Sequence, residues 1–309
     1  MKHIFLTAVA LLISTFAVAQ TSYEMVVEQT NGTKSIFKTT DVKQTYFREA
    51  QPEPTGTFQG AKRVFGDNLV KAFGEEGVER YEITYDSKGF VTAISGTYHS
   101  EYSESDTQYT WLFSYQTEGK ILVNYYRDGM FYDVYHLTIG SNGYISTIKE
   151  ADDFEAKLYY DNDEHLIQIV FYDLEEEEGA SIYYDIETFS WMDGDLVAEN
   201  YLEYGDEDDI TNIAYISPSQ TTPIENVAGV MEYDHAMGLD FDEFCILYYM
   251  GGFGKGTKHL PMAWARDGGS SGSNTWALDN QNRAVKMVNI KNYHDSYSTP
   301  TERTFFWEW

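Results

Sequence analysis

This 309-residue chain is short of cysteine, of proline and of positive charge, and each shortage narrows what it can be. Its one cysteine, Cys245, cannot close a disulfide within the chain, so stability must come from packing and hydrogen bonding. Flanked by Phe244 and Ile246, with no basic neighbour to lower its pKa, Cys245 reads as a small buried apolar residue and not as a nucleophile. Lysine and arginine total 21 against 50 aspartates and glutamates, a formal net charge of −29. Such a surface repels phosphate backbones and anionic membranes, and no Lys/Arg stripe offsets it, so nucleic acid is excluded as a partner. Six prolines leave long stretches free to pair as strands. Beyond the first nineteen residues no apolar run is long enough to cross a membrane as a helix, so no stable span is expected in the mature chain.

What is abundant is aromatic: 26 Tyr, 18 Phe and 6 Trp. Acidic chains that stay disordered are poor in these residues, so this one folds. At the start, Lys2 and His3 precede an apolar run from Ile4 to Val18, and Ala17-Val18-Ala19 offers small residues for a signal peptidase. Polar Gln20-Thr21-Ser22 follows at once. Residues 1–19 therefore read as a cleaved export signal. With no cysteine after the cut no lipid anchor is expected, and the protein is expected in the periplasm, at the cell surface or outside. Cleavage removes Lys2 and no acid, which makes the mature chain one unit more negative than −29.

Residues 20–50 read as a short β-hairpin unit. Tyr23, Met25 and Val27 alternate with polar positions, Asn31-Gly32 makes a turn, and Ile36 resumes the pattern. Gln51-Pro52-Glu53-Pro54-Thr55-Gly56 opens a linker over 51–62, because two prolines and a glycine break any ladder. The remainder, 63–309, reads as one all-β, mainly antiparallel domain. About a dozen strands joined by short turns form a meander that curls into a strongly curved sheet or porin-like barrel. Tyr109, Trp111, Phe113 and Tyr115 share one strand face, and Phe131, Asp133, Tyr135, Leu137 and Ile139 share another. Two breaks are expected: a helical or irregular entry over 62–73, and a helix near 241–250. The latter has Asp240 as N-cap, Glu243 three residues on, and Gly251-Gly252 as its stop.

One unit recurs. It runs Tyr85-Asp86-Ser87-Lys88-Gly89-Phe90-Val91 to Ile94, and returns over 139–148, 160–169 and 278–287, with a short copy at Met192-Asp193-Gly194-Asp195-Leu196. An apolar residue ends a strand, Asp or Gly opens a turn, and the later apolar residues belong to the returning strand. Single hairpins are marginal, so the copies must pair into a continuous sheet.

The stretch from Val64-Phe65-Gly66 through Ile94 resembles the opening of a family of secreted proteins of anaerobes, a domain of unknown function with a porin-like β fold. The recurring hairpin resembles the tyrosine–aspartate (YD) repeat. Tyr248-Tyr249-Met250-Gly251-Gly252-Phe253-Gly254-Lys255-Gly256-Thr257-Lys258-His259-Leu260-Pro261 is similar to the family's helix-then-glycine-loop segment. The resemblance spans about residues 63 to 309, and the unit at 23–48 is similar to a short β module that precedes many envelope domains. It implies a fold and no activity. The chain departs from the pattern in the fourth copy, which has Asn282 in place of the turn glycine, and in the truncated Met192 copy.

No catalytic, cofactor-binding or metal residue is assigned. Gly268-Gly269-Ser270-Ser271-Gly272 has the letters of a nucleophile elbow without its strand and helix flanks. Gly251-Gly252-Phe253-Gly254-Lys255-Gly256-Thr257 misses the phosphate-loop order, because Gly256 separates lysine from threonine. Acidic runs at Glu175–Glu178 and Asp206–Asp209 read as solvated tips that guard sheet edges. Asp161-Asn162-Asp163 and Asp193-Gly194-Asp195 begin like calcium loops, but Tyr172 and Tyr204 stand where the closing glutamate belongs. No cofactor is expected, calcium being the one metal these residue types invite. His136 and His165 read as ordinary sheet residues. Fifty carboxylates make chance pairs certain and give no warrant for a glycosidase pair. The expectation is a non-catalytic secreted or envelope β-protein with a binding or structural role. Its partners would be glycans or other envelope proteins, and its oligomeric state is open. A glycan-binding accessory protein, an outer-membrane barrel ending on Phe305, Trp307 and Trp309, and a hydrolase stay open as alternatives.

Overall fold

The computed structural model describes residues 24–28, 34–38, 56–99, 105–116, 119–150, 154–173, 184–202, 209–214, 224–230, 242–266, 270–293 and 299–309. The chain divides into two units, 1–50 and 51–309. In the first, β1 (Glu24–Glu28) and β2 (Lys34–Lys38) pair antiparallel with Val26 opposite Ile36. The expected turn at Asn31-Gly32 lies outside the described residues.

In the second unit, α1 (Ala61–Phe65) leads into β3 (Ala72–Glu75), β4 (Glu79–Tyr85), β5 (Val91–Tyr98), β6 (Thr107–Tyr115), β7 (Lys120–Arg127) and β8 (Met130–Ile139). Then come β9 (Ile145–Glu150), β10 (Phe154–Tyr160), β11 (Leu166–Asp173), β12 (Tyr184–Met192), β13 (Asp195–Leu202) and β14 (Asp209–Ala214). Helix α2 (Asp242–Tyr249) precedes β15 (Ala263–Arg266), β16 (Ser271–Leu278), β17 (Ala284–Asn292) and β18 (Thr301–Glu308). Each strand pairs antiparallel with the next, and β18 pairs with β3 through Trp307 opposite Phe73, so sixteen strands close into a barrel. The all-β antiparallel meander and the helix near 241–250 agree with the sequence.

Two details correct it. The strands exceed the expected dozen, and 62–73 is not one helix. Gly66, at φ +60°, ends α1 after five residues, and Ala72 and Phe73 are drawn into the ladder between β18 and β4. Tyr132 is an extra residue opposite the Tyr125–Tyr126 step of β7, which puts Phe131 across from Tyr126 and takes it off the face of Asp133 and Tyr135.

The alternation decides which face is inside. Tyr81 and Ile83 of β4, Trp111 and Phe113 of β6, Ile121 and Val123 of β7, and Phe305 and Trp307 of β18 are all buried within the ring. The residues between them, Glu82, Thr84, Leu112, Ser114, Lys120 and Glu308, are exposed. Ion pairs on this outer face each reach across an intervening strand: Arg80 of β4 grips Glu308 of β18 over β3 at 2.7 and 3.0 Å, and Lys286 of β17 reaches Glu76, just past β3, over β18 at 3.1 Å. A barrel facing lipid carries the reverse pattern, apolar outside and polar within.

Sixteen strands would enclose a channel unless something filled it. Helix α2 does so from one end, here called the base. Its residues Ile246 to Tyr249, and Met250 just after it, are all buried. Tyr249 packs 4.4 Å from Phe73 of β3, accepts a 2.6 Å hydrogen bond from Trp307 Nε1 of β18, and meets Phe65 of α1.

Candidate functional site

The repeat builds the base. In three copies one aspartate, Asp86, Asp161 or Asp279, accepts through Oδ1 the backbone N–H groups two and four residues later, at 2.8–2.9 Å. The fourth turn residue takes positive φ each time: Gly89, Gly143, Glu164 and Asn282 at +87°, +82°, +73° and +59°. Asparagine tolerates this region, so Asn282 replaces glycine without changing the turn. A β-bulge then falls at the same point of every copy, with Thr92, Ser146, Ile167, Val285 and, in the short copy, Val197 as the extra residue.

A polar aromatic tip reaches each returning strand from the strand that follows it. Tyr115 donates to the Val91 carbonyl at 2.8 Å, Tyr160 to Ile145 at 2.7 Å, Trp191 to Leu166 at 2.8 Å and Trp309 to Ala284 at 2.9 Å. All four acceptors occupy the same repeat position. Burial pushes the Tyr115, Tyr160 and Tyr248 hydroxyls well above the ordinary phenol range, and does the same to Tyr85, which donates to Val70.

Across these turns lies the segment after α2. Ile145 N–H donates to the Gly252 carbonyl, Lys255 N–H to Glu164, and Lys258 N–H to Gly194. Asp195 accepts from the His259 N–H and the Thr257 hydroxyl, with His259 Nδ1 2.7 Å from its other oxygen. Glu164 sits at the crossing. Its Oε1 takes Arg63 of α1 at 2.5 Å, and its Oε2 takes Tyr144 at 3.1 Å and Lys255 at 3.2 Å. Desolvation raises the Glu164 pKa, but the hydrogen bonds from Arg63, Lys255 and Tyr144 outweigh it and hold the carboxyl below its usual range. Burial, with Glu164 beside it, carries Tyr144 up to about 12 against the pull of Arg63. This arrangement clasps: each carboxylate oxygen here holds a fixed donor.

A polar track also crosses the inner wall. Asn274 accepts from Asn289 at 2.7 Å, Asn289 lies opposite Arg303, Arg303 holds Glu75 at 2.7 Å, and Glu75 faces Glu79, which accepts from Tyr81 at 2.8 Å. These five strands bury their polar groups against one another.

Gly268 and Gly269 lie outside the described residues; Ser271 begins β16, and β17 follows it where an elbow would need a helix. Residues 251–257 belong to the clasp and cross the turn of Glu164. His136 is exposed on the outer face, whereas His165 lies in a turn against Trp191, ring centroids 4.3 Å apart. Asp161 and Asp195 accept from the donors just given. Among the described residues no group of three or more metal-ligating side chains gathers. Glu175–Glu178, Asp206–Asp208, Asp240 and the side chain of Cys245 lie outside the described residues. Trp111 and Tyr125 stack at 5.0 Å and 2°, but both are buried and cover each other, so this pair offers no platform to a sugar. Arg63, Lys255 and the Glu75–Arg303 pair were not anticipated, since nothing in their local sequence marks partners about 80 to 230 positions away.

The fold is similar to that of a porin-like protein. That protein, from Bacteroides uniformis, has 14% sequence identity and a TM-score of 0.61, over 77% of this chain and 95% of its own. A second porin-like protein, from Bacteroides vulgatus, aligns with 14% identity over 78% of this chain and 98% of its own, at a TM-score of 0.39. No family model and no curated protein matches. At such identity the likeness concerns the fold alone.

Proposed function

We propose that the protein is a non-catalytic β-barrel protein, exported and working in water within the cell envelope or outside it, by binding or as a structural component. The supporting observation is the sidedness of the wall: charged and polar side chains face out on strand after strand, while the apolar set is packed within around α2. A hydrocarbon belt would strand Arg80, Glu308, Lys286 and Glu76. The reading requires no metal or cofactor and no anchor, and the carboxylates of the base serve as clasps. Detergent phase separation of the protein tests it. The protein should stay in the aqueous phase at low and high salt, and transfer to the detergent phase would contradict the reading.

A further inference from the structure

The hairpin between β7 and β8 carries an exposed apolar patch at the end of the barrel opposite the clasp. Arg127 pairs with Met130 across a two-residue turn, Asp128-Gly129, both at positive φ. Met130, Phe131 and Tyr132 are 71%, 59% and 60% exposed, consecutive in the chain and together at one tip. The tip is braced. Gln108 N–H donates to Asp128 Oδ1 at 2.9 Å, and Asp128 N–H returns a 2.8 Å bond to the Gln108 carbonyl. Tyr126 packs edge-on to Phe131, and Tyr125, itself stacked on Trp111, packs edge-on to Tyr132. Scattered apolar residues are ordinary on a surface, but three in a row on a rigid turn form a patch.

We infer that this tip docks into an apolar pocket, bordered by basic side chains, on a partner protein. Arginine, methionine and aromatic residues are the types enriched at protein interfaces, and this turn presents Arg127, Met130, Phe131 and Tyr132 together. The rings pay little ordering entropy on binding, because the hairpin already holds them. Charge selects the border. Asp128 is exposed in the turn itself, and the chain as a whole stands at −29, which opposes a second copy of itself and favours a cationic rim. The rings are not coplanar, lying at 82° and 61° to their neighbours, so they offer no flat platform for a sugar chain.

The inference rests on the binding role proposed above and is tested separately from it. A photo-crosslinking residue replaces Phe131, or Gln168 on a distant strand, in the full protein expressed in the cells that make it. The expected result is a protein adduct from position 131, at least tenfold weaker from position 168, and lost when Met130→Ser and Tyr132→Ser are added. Its crosslinked peptide should map to an apolar pocket flanked by Lys or Arg, and high salt should reduce its yield. An unchanged melting curve shows that the serine variant is folded. Equal labelling from both positions, no adduct, an adduct with a second copy, or release by oligosaccharide would each overturn the inference. Aqueous partition would remain to judge the broader reading.

Discussion

Glu164 shows how much one residue can be asked to do. It accepts a φ of +73°, which ordinary L-residues avoid, and it ties α1, the third turn and the segment after α2 together. The strain of the turn and the grip of the side chain oppose each other. Replacing it by glycine relieves the first and removes the second. Because three donors lose their acceptor, Glu164→Gly is expected to destabilise on balance by about 1–2 kcal/mol, read as a lower unfolding midpoint in urea. The folded carboxyl has a lowered pKa, so its contribution is complete above the unfolded value and disappears as pH falls through the folded one. The difference between wild type and Glu164→Gln in thermal melts should therefore shrink below about pH 4. Tyrosines give the opposite window. Tyr85, Tyr115, Tyr160 and Tyr248 have raised pKa values, so their stabilisation is intact below the unfolded value of about 10 and is lost as pH rises further. Absorbance at 295 nm should show these four ionising only together with unfolding, in one alkaline transition.

At the level of the hairpin, the repeat was legible because it obeys local rules. An Asp that bonds its own backbone and a residue at positive φ are visible in ten letters, and the four full copies and the short one fold as expected. Gly143 illustrates the constraint. At φ +82°, a methyl group there would also collide with Arg63 Nη1 and come within 3.2 Å of the Thr57 carbonyl. Gly143→Ala should cost about 1–2 kcal/mol from the backbone alone, whereas Asn282→Gly should leave the melting temperature nearly unchanged. What the letters hid is non-local. The near-helical spacing of Val64, Leu69, Val70 and Phe73 suits a helical or irregular entry over 62–73, but Ala72 and Phe73 owe their strand character to β18, more than 220 residues away. The bulge at Tyr132 was hidden too, since only the partner strand reveals which residue is extra. Aromatics at strand ends were a signal that could have been read: Tyr115, Tyr160, Trp191 and Trp309 each meet the same carbonyl of a repeat.

For the whole molecule, the energetics lie in the filled interior. Trp307 joins the closing strand to α2 through Tyr249 and stacks on Trp276. Trp307→Ala should lower stability by about 3–5 kcal/mol, seen as an earlier urea midpoint. Leu112→Ala, on the outer face, should change it by less than about 0.5 kcal/mol. The sequence showed that the chain closes its aromatics into a β core, but it could not show how the ring is filled. That depends on a helix placed inside by contacts with β3, β18 and α1 that no pattern announces.

The inward and outward faces can be read most directly by thiol labelling at adjacent positions of β6, in protein whose own thiol is removed by Cys245→Ser. Leu112→Cys should react with a water-soluble maleimide as fast as an unfolded thiol, and Phe113→Cys should react only on addition of denaturant. The reverse order, with position 113 open to water and position 112 shielded, would contradict a barrel that turns its apolar side inward.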